Sequence, residues 1–249
     1  KSWVKPEPKG SVLIISPWNY PIMLCLNPLI AAIAAGNTAI IKPSELTPES
    51  GKVVQELIKK TFNENEVSVI LGEKSVAEKL LSLPFNHILF TGSPEIGKIV
   101  MRAAAKHLSG VTLELGGKSP TIIDSTANIK EAAWKIAFFK YANAGQTCTA
   151  PDYILCEESV HEKLVEELDK NITNFFGGNL VGGSKDYCAI ANEFHFARLD
   201  KLLEESKKGG AIIACGGHKN KKSLYLSPTV LTGVQPDNPI MKEEIFGHL

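Results

Sequence analysis

Three residues of this chain stand in surroundings that suit carbonyl chemistry. Cys148 closes the run Ala144-Gly145-Gln146-Thr147-Cys148, Glu114 sits in Leu113-Glu114-Leu115-Gly116-Gly117-Lys118, and Asn19 in Pro17-Trp18-Asn19-Tyr20-Pro21. A thiol attacks an electrophilic carbon, a carboxylate takes a proton, and an amide N–H steadies an oxyanion. Together they are the parts needed to form a thioester and hydrolyse it. Each residue also has a plainer role. A lone cysteine is more often a small buried apolar residue than a nucleophile, an acid at a strand end is often only solvated, and Asn fills helix N-caps well. The other cysteines sharpen the contrast. Cys25 lies in an apolar helical stretch and Cys156 and Cys215 end apolar strands, so these read as core. Cys188 falls near a loop and fits neither class, whereas Cys148 sits among small polar residues that leave a sulfur accessible. No histidine has the context of a Cys-His hydrolase. His87 and His107 fall in the first half, and His161, His195 and His218 read as surface residues. Glu114 is left as the candidate base.

Composition removes other classes. Lys+Arg and Asp+Glu each total 27, so no net field draws the chain to nucleic acid or to an anionic membrane. The only arginines are Arg102 and Arg198, which weakens base or phosphate readout further. The 5 cysteines are odd in number and lack CxxC spacing, which argues against a zinc site or disulfide framework and for a reducing, cytoplasmic setting. No metal site is expected. No apolar run approaches the roughly 20 residues of a membrane span; the best, Ile22 to Ala35, is broken by Asn27 and Pro28. The hydrophobic fraction of 44% supports a packed core. The chain stops just after Glu243-Glu244-Ile245-Phe246-Gly247, and neither end reads as natural, so a piece of a longer protein is expected.

Strand-type runs alternate with helical patterns, as in parallel α/β units. Strands are expected at Ser11–Ser16, Thr38–Lys42, Val67–Leu71, His87–Phe90 and Val111–Leu115, with helices at Pro21–Ala35, Pro48–Lys60, Ser75–Ser82 and Pro94–His107. Thr47-Pro48-Glu49 supplies an N-cap, a proline at the first helical position and an early acid. Gly36 suits a helix C-terminus. After Gly116-Gly117 the pattern restarts with strands at Thr121–Asp124, Tyr153–Cys156, Ala211–Cys215 and Thr229–Leu231, and helices at Ile129–Tyr141, Val160–Asn174 and Glu193–Lys208. The glycine pair marks a joint, giving domains of residues 1–115 and 116–249. The Gly-rich stretch from Gly177 to Asp186 reads as an exposed loop.

The GxGxxG dinucleotide fingerprint is absent. In its place stands Phe90-Thr91-Gly92-Ser93-Pro94-Glu95-Ile96-Gly97-Lys98. Gly92 to Lys98 matches the start of a P-loop, but Ile99 replaces the hydroxyl that would bind magnesium, so an NTPase is rejected. Free N–H groups at the following helix start still favour a phosphate, although a plain strand-to-helix turn would look the same. Lys42-Pro43-Ser44-Glu45 follows the second strand. A carboxylate there is able to accept both hydroxyls of a ribose, and a lysine to donate to them; a charged loop is the plainer reading.

Taken in order with Glu243–Gly247, these segments resemble the aldehyde dehydrogenase superfamily across nearly the whole chain. The likeness is closest to its class 3 branch, through Tyr20 where many members carry Phe, and through Thr149-Ala150-Pro151-Asp152-Tyr153. The resemblance implies a Rossmann-like parallel-sheet cofactor domain followed by an α/β catalytic domain. It also implies oxidation of an aldehyde to a carboxylic acid with NAD or NADP. Cys148 would be the nucleophile, Asn19 with the Cys148 N–H the oxyanion hole, and Glu114 the activator of the hydrolytic water. Ser93 would meet the pyrophosphate, Lys42 and Glu45 the adenosine ribose, Glu244 the nicotinamide ribose and Phe246 the nicotinamide. Trp18, Gly92, Gly97 and Leu115 complete the expected cofactor set, and Tyr20 would line the aldehyde entrance. Glu45 should disfavour a 2′-phosphate, which leans toward NAD. Family members usually continue with Pro after the Gly247 position, whereas here His248 follows. A homodimer is implied for the complete protein, with medium-chain aliphatic or aromatic aldehydes as substrates. The rivals are a non-catalytic NAD-binding or structural relative, and an acylating or esterase-like thiol enzyme.

Overall fold

The computed structural model describes residues 2–5, 7–177, 180–181 and 184–249. The chain forms two compact units, Lys1–Gly116 and Gly117–Leu249.

The first unit runs β1 (Ser11–Ile15), α1 (Met23–Ala34), β2 (Thr38–Lys42), α2 (Pro48–Thr61), β3 (Val67–Val69), α3 (Lys74–Leu81), β4 (His87–Gly92), α4 (Pro94–Ala105) and β5 (Gly110–Leu115). Its strands form one parallel sheet in the order β3-β2-β1-β4-β5. A parallel sheet needs cover on both faces, and the alternation within β1 supplies it. Val12 and Ile14 join Ile41, Val54 and Ile58 on one side. Leu13 joins Ile88, Phe90 and Val100 on the other. The strand order reverses between β1 and β4. Loops at the carboxyl ends of those strands diverge there and open the crevice where such sheets bind ligands.

Local signals explain most boundaries. Gly36 follows α1 at φ +84, and its N–H bonds the Ile33 carbonyl at 2.8 Å, a conformation glycine adopts without penalty. α2 begins at Pro48 with Glu49 in its first turn. Thr47 holds the N-cap position but makes no side-chain cap bond, and its hydroxyl is buried without a hydrogen-bond partner among the described residues. α1 starts at Met23 rather than Pro21, and β3 stops at Val69. β4 runs on to Gly92 because its ladder with β5 continues through Thr91–Glu114 and Gly92–Leu115. The turn expected at Thr91–Ser93 therefore shrinks to Ser93.

The second unit runs β6 (Pro120–Ile123), α5 (Ile129–Tyr141), a 3-10 turn at Ala142–Gly145, β7 (Tyr153–Cys156), α6 (Glu158–Phe176), α7 (Glu193–Lys208), β8 (Ile212–Cys215), β9 (Lys219–Asn220), β10 (Tyr225–Leu226) and β11 (Val230–Thr232). β6 and β7 pair in parallel, while β8–β11 and β9–β10 pair antiparallel. The core is helical: Ala133, Ile136 and Ala137 of α5 meet Leu164, Leu168 and Ile172 of α6 and Leu199 and Leu203 of α7. An aromatic series edges it. Trp134 stacks on Phe138 with ring centroids 5.3 Å apart, and Phe175 meets Trp134 edge-on at 6.1 Å. Phe176, Tyr187 and Tyr225 continue it.

Burial departs from expectation at several positions. Cys25 is buried, but Cys156 and Cys215 are only half-buried, because their short strands leave one side chain in two partly open. His161 and His195 are half-buried against helix neighbours rather than exposed. Of the loop expected at 177–186, Gly178, Asn179, Gly182 and Gly183 lie outside the described residues; Leu180 is tied down by the Tyr225 hydroxyl at 2.8 Å.

Two buried bases sit in this unit. Burial lowers Lys140 to about 8, with Asp152 and Glu244 opposing the shift and Lys118 adding to it. Burial, with Lys140 and Arg198 acting in the same direction, lowers His248 to about 3 from 6.5. Neither ring nitrogen of His248 meets a hydrogen-bond partner among the described residues. Between those two pKa values the unfolded chain holds a proton on His248 that the folded chain rejects. Stability is therefore full above about 6.5 and falls as pH drops through the window. The His248 contribution to the slope reaches at most about 1.4 kcal/mol per pH unit. Urea titrations across that window should show this loss, and His248→Phe should flatten it; an unchanged slope in the variant would contradict it.

Candidate active site

The first unit gathers its chemistry at one edge. Because β1, β2, β4 and β5 are parallel, the residues that end or follow them share the carboxyl side of the sheet. Trp18, Asn19 and Tyr20 follow β1 and are half-buried. Ile22, not Asn19, occupies the N-cap position of α1, so the capping role is not open to Asn19. Glu114 and Leu115 end β5, and Glu114 is exposed.

Lys42 ends β2 and is 2% exposed, yet its ammonium is satisfied by the Pro43 carbonyl at 2.8 Å and Glu45 Oε2 at 2.9 Å. Burial pulls the Glu45 carboxyl upward, but the hydrogen bond and charge of Lys42 outweigh it and hold the pKa below its usual value. The pair thus stands preformed at the strand end. Ser93 caps α4, accepting from the Ile96 N–H at 3.4 Å, with Pro94 and Glu95 in the first turn. A Cβ on Gly97 would lie 2.9 Å from the Leu115 side chain. Gly97 therefore lets α4 approach β5, as the third glycine of a dinucleotide fingerprint does, while Leu115 supplies the opposing surface. A Cβ on Gly92 would meet the Phe90 ring at 2.5 Å. A helix N-terminus for phosphate and a carboxylate–lysine pair for ribose fit a dinucleotide.

The second unit builds a thiol loop. After α5, Asn143 (φ 51), Ala144 (φ 53) and Gly145 (φ 75) all take left-handed backbone. A Cβ on Gly145 would stand 2.0 Å from the Gly247 carbonyl oxygen. This places the run ending in Cys148 in backbone contact with the run containing Glu244 and Phe246. Gln146 locks the loop from within. It is 3% exposed, its amide donates to the carbonyls of Asn143 at 3.0 Å and Ala189 at 3.3 Å, and its oxygen accepts from the Ala191 N–H at 2.9 Å. Sequence reading passed over Gln146; a buried amide inside a small-residue run was the available signal. Cys148 is exposed on the turn closed by the Ala150 N–H to the Thr147 carbonyl at 3.1 Å.

The segment from Ile240 to Gly247 is held by charge. Lys118 pairs with Asp152 and donates to the carbonyls of Ile240 at 2.9 Å and Glu243 at 3.0 Å. Asp152 also accepts from the Ile245 N–H at 2.9 Å, and Arg198 bonds the Glu243 side chain at 3.2 Å. Glu244 is half-buried; burial raises its carboxyl, with a hydrogen bond from the Gly117 N–H acting against the rise. Phe246 sits at φ 48. Among the described residues no group of three or more His, Cys, Asp or Glu suits a metal ion, and no helix is long and apolar enough to cross a membrane.

A family model described as the aldehyde dehydrogenase family matches residues 1–249. The chain is 51% identical over 247 residues to the 4,4'-diaponeurosporen-aldehyde dehydrogenase of Staphylococcus aureus, covering 99% of this chain and 53% of that one. It is 47% identical to mouse aldehyde dehydrogenase family 3 member A2, with 99% and 50% covered. A substrate-bound structure of Staphylococcus aureus AldH superposes with a TM-score of 0.91 at 51% identity over 97% of this chain and 52% of that one. A Mycobacterium tuberculosis aldehyde dehydrogenase complexed with NAD+ gives 0.88 at 31% identity over 97% and 51%. The chain spans about half the length of the curated relatives it matches.

Gly145→Ala should strain the loop twice, through left-handed backbone worth about 1–2 kcal/mol and through the clash with Gly247. Calorimetry should show a lower unfolding temperature, and mass spectrometry a changed rate of Cys148 alkylation. Wild-type values for both would refute the contact.

Proposed function

The chain belongs to the aldehyde dehydrogenase family. On that premise we propose that residues 1–115 hold NAD or NADP, and that residues 116–249 supply the thiol, for oxidation of an aldehyde to a carboxylic acid. The observation that carries this reading is the backbone contact between Gly145 of the Cys148 loop and Gly247, next to Glu244–Phe246, which sets the loop of the proposed nucleophile beside the segment proposed to meet the cofactor.

The Cys148 sulfur bonds to the aldehyde carbon, and its proton leaves to solvent. Negative charge gathers on the substrate oxygen and is held by the Asn19 amide and the Cys148 N–H. When bound, the dinucleotide would supply the acceptor for the hydride lost from the substrate carbon, so that the adduct on Cys148 would become a thioester. Glu114 then takes a proton from water; the water oxygen bonds to the acyl carbon and the sulfur departs, freeing a carboxylic acid. Tyr20 lines the aldehyde entrance. Lys42 and Glu45 would hold the adenosine ribose, and Ser93 at the start of α4 the pyrophosphate. Trp18, Gly92, Gly97 and Leu115 would shape the cofactor site, Glu244 would hold the nicotinamide ribose and Phe246 would meet the nicotinamide. A 2′-phosphate would meet the Glu45 charge, so NAD is favoured, while rotation of Glu45 away from Lys42 admits NADP. Medium-chain aliphatic or aromatic aldehydes are the proposed substrates, and a cytoplasmic homodimer the proposed form of the complete protein.

The test is a chimera in which residues 1–249 replace the matching half of Staphylococcus aureus AldH. It should reduce NAD+ in the presence of a medium-chain aldehyde and need no coenzyme A. Cys148→Ser should abolish turnover, and Asn19→Ala should lower kcat by about 10²- to 10³-fold. Glu114→Gln should leave a single burst of NADH without steady turnover. Undiminished turnover in Cys148→Ser would overturn the proposal; a coenzyme A requirement would shift it to the acylating reading.

A further inference from the structure

Residues 244–246 belong to no helix or strand. Their peptide groups must therefore find partners outside regular structure. α7 lies against this stretch. Phe196, Leu199 and Leu202 are buried in the core, and a Cβ on Gly247 would stand 2.4 Å from the Leu199 side chain. Arg198, next to Leu199, reaches the residues just before Gly247. Its Nη1 donates to Glu243 Oε1 at 3.2 Å and to the Glu244 carbonyl at 3.4 Å, and its Nη2 donates to the Ile245 carbonyl.

The bond to the Glu244 carbonyl fixes a plane. The peptide group joining Glu244 to Ile245 is flat and rigid, with its carbonyl and N–H pointing opposite ways. Arg198 holds the carbonyl and Asp152 holds the N–H at 2.9 Å. With both poles held, the plane does not turn, and the side-chain directions of Glu244 and Ile245 are set with it. The following peptide group joins Ile245 to Phe246, and its carbonyl is held by the same guanidinium. Phe246 sits at φ 48, a left-handed conformation that persists only where the surroundings impose it.

A planar fork spans two successive carbonyls; a lysine ammonium is a single point of charge. The other arginine, Arg102, lies in the first unit, so the second unit has no substitute guanidinium. The charge works in the same direction as the geometry, since Arg198 opposes the rise that burial gives the Glu244 carboxyl.

We infer that Arg198 is a positioning residue for the cofactor half-site of the second unit: by holding the carbonyls of Glu244 and Ile245 it sets the directions of the Glu244 carboxylate and the Phe246 ring. It acts through these two residues, which are the ones proposed to meet the nicotinamide ribose and the nicotinamide. Its role toward the cofactor rests on that proposed function, whereas the clamp itself rests on the second unit alone.

Two measurements test it. In the free chain, hydrogen exchange by mass spectrometry should run about five- to tenfold faster over residues 242–249 in Arg198→Lys, which keeps the charge and loses the fork, with α5 and α6 unchanged. In the chimera with Staphylococcus aureus AldH, calorimetric titration should show the same variant binding NAD+ about five- to tenfold more weakly, and KM for NAD+ should rise while KM for the aldehyde holds. In Arg198→Ala, added N-ethylguanidine should restore slow exchange and NAD+ affinity, and ethylamine should not; Arg198→Lys decides alone if that variant fails to fold. Wild-type exchange in Arg198→Lys, faster exchange throughout the second unit, or equal rescue by ethylamine overturns the inference. So does faster exchange over 242–249 with an unchanged NAD+ dissociation constant. A wild-type chimera that binds no NAD+ refutes the cofactor reading and with it the role of Arg198 toward the nucleotide, while the exchange result still judges the clamp.

Discussion

The thiol-bearing unit depends on one carboxylate. The Asp152 side chain is only 4% exposed and answers to the Lys118 ammonium and the Ile245 N–H. Through Lys118 the same charge reaches the carbonyls of Ile240 and Glu243. Three stretches distant in sequence, the glycine joint, the start of β7 and the segment from 240 to 247, meet at one ion pair. A buried pair of this kind adds little net stability over apolar packing, but stripping one partner leaves an uncompensated charge worth about 3–5 kcal/mol. Geometry is what it secures. With Ile245 pinned, Gly247 comes against Gly145, and the turn carrying Cys148 is fixed from behind.

The first unit reaches a comparable result without a central charge. A parallel sheet aligns every carboxyl strand end, so residues scattered from 18 to 115 need no special contact to share an edge. The reversal of strand order between β1 and β4 opens that edge. Small adjustments finish it: Gly97 draws α4 inward, Ser93 closes the helix start, and Lys42 and Glu45 neutralise each other. One unit relies on topology, the other on a buried ion pair.

Much of this was legible before any coordinates. Thr38–Lys42, Ile129–Tyr141, Tyr153–Cys156 and Glu193–Lys208 match their predicted spans because apolar periodicity and flanking breakers agree there. The extra length of β4 was hidden because Thr91 and Gly92 carry turn chemistry, and only the ladder to β5 keeps them extended. β9 and β10 are two residues each, too short for any alternation to register. The candidate-site motifs stand out as local strings. Their supports do not: Gln146, Asp152 and Lys118 act through partners 43, 93 and 122 positions away, and Lys140 looks like any helical lysine until its burial is known.

The aromatic series along α5 has a practical consequence. Trp134 is the second unit's tryptophan, stacked on Phe138, whereas Trp3 and Trp18 belong to the first. Indole emission responds to the loss of such stacking. A chain keeping Trp134 and carrying Phe at positions 3 and 18 would therefore report optically on the thiol-bearing unit alone, and the reciprocal chain on the first unit, so that the melting of each could be followed separately in one intact polypeptide.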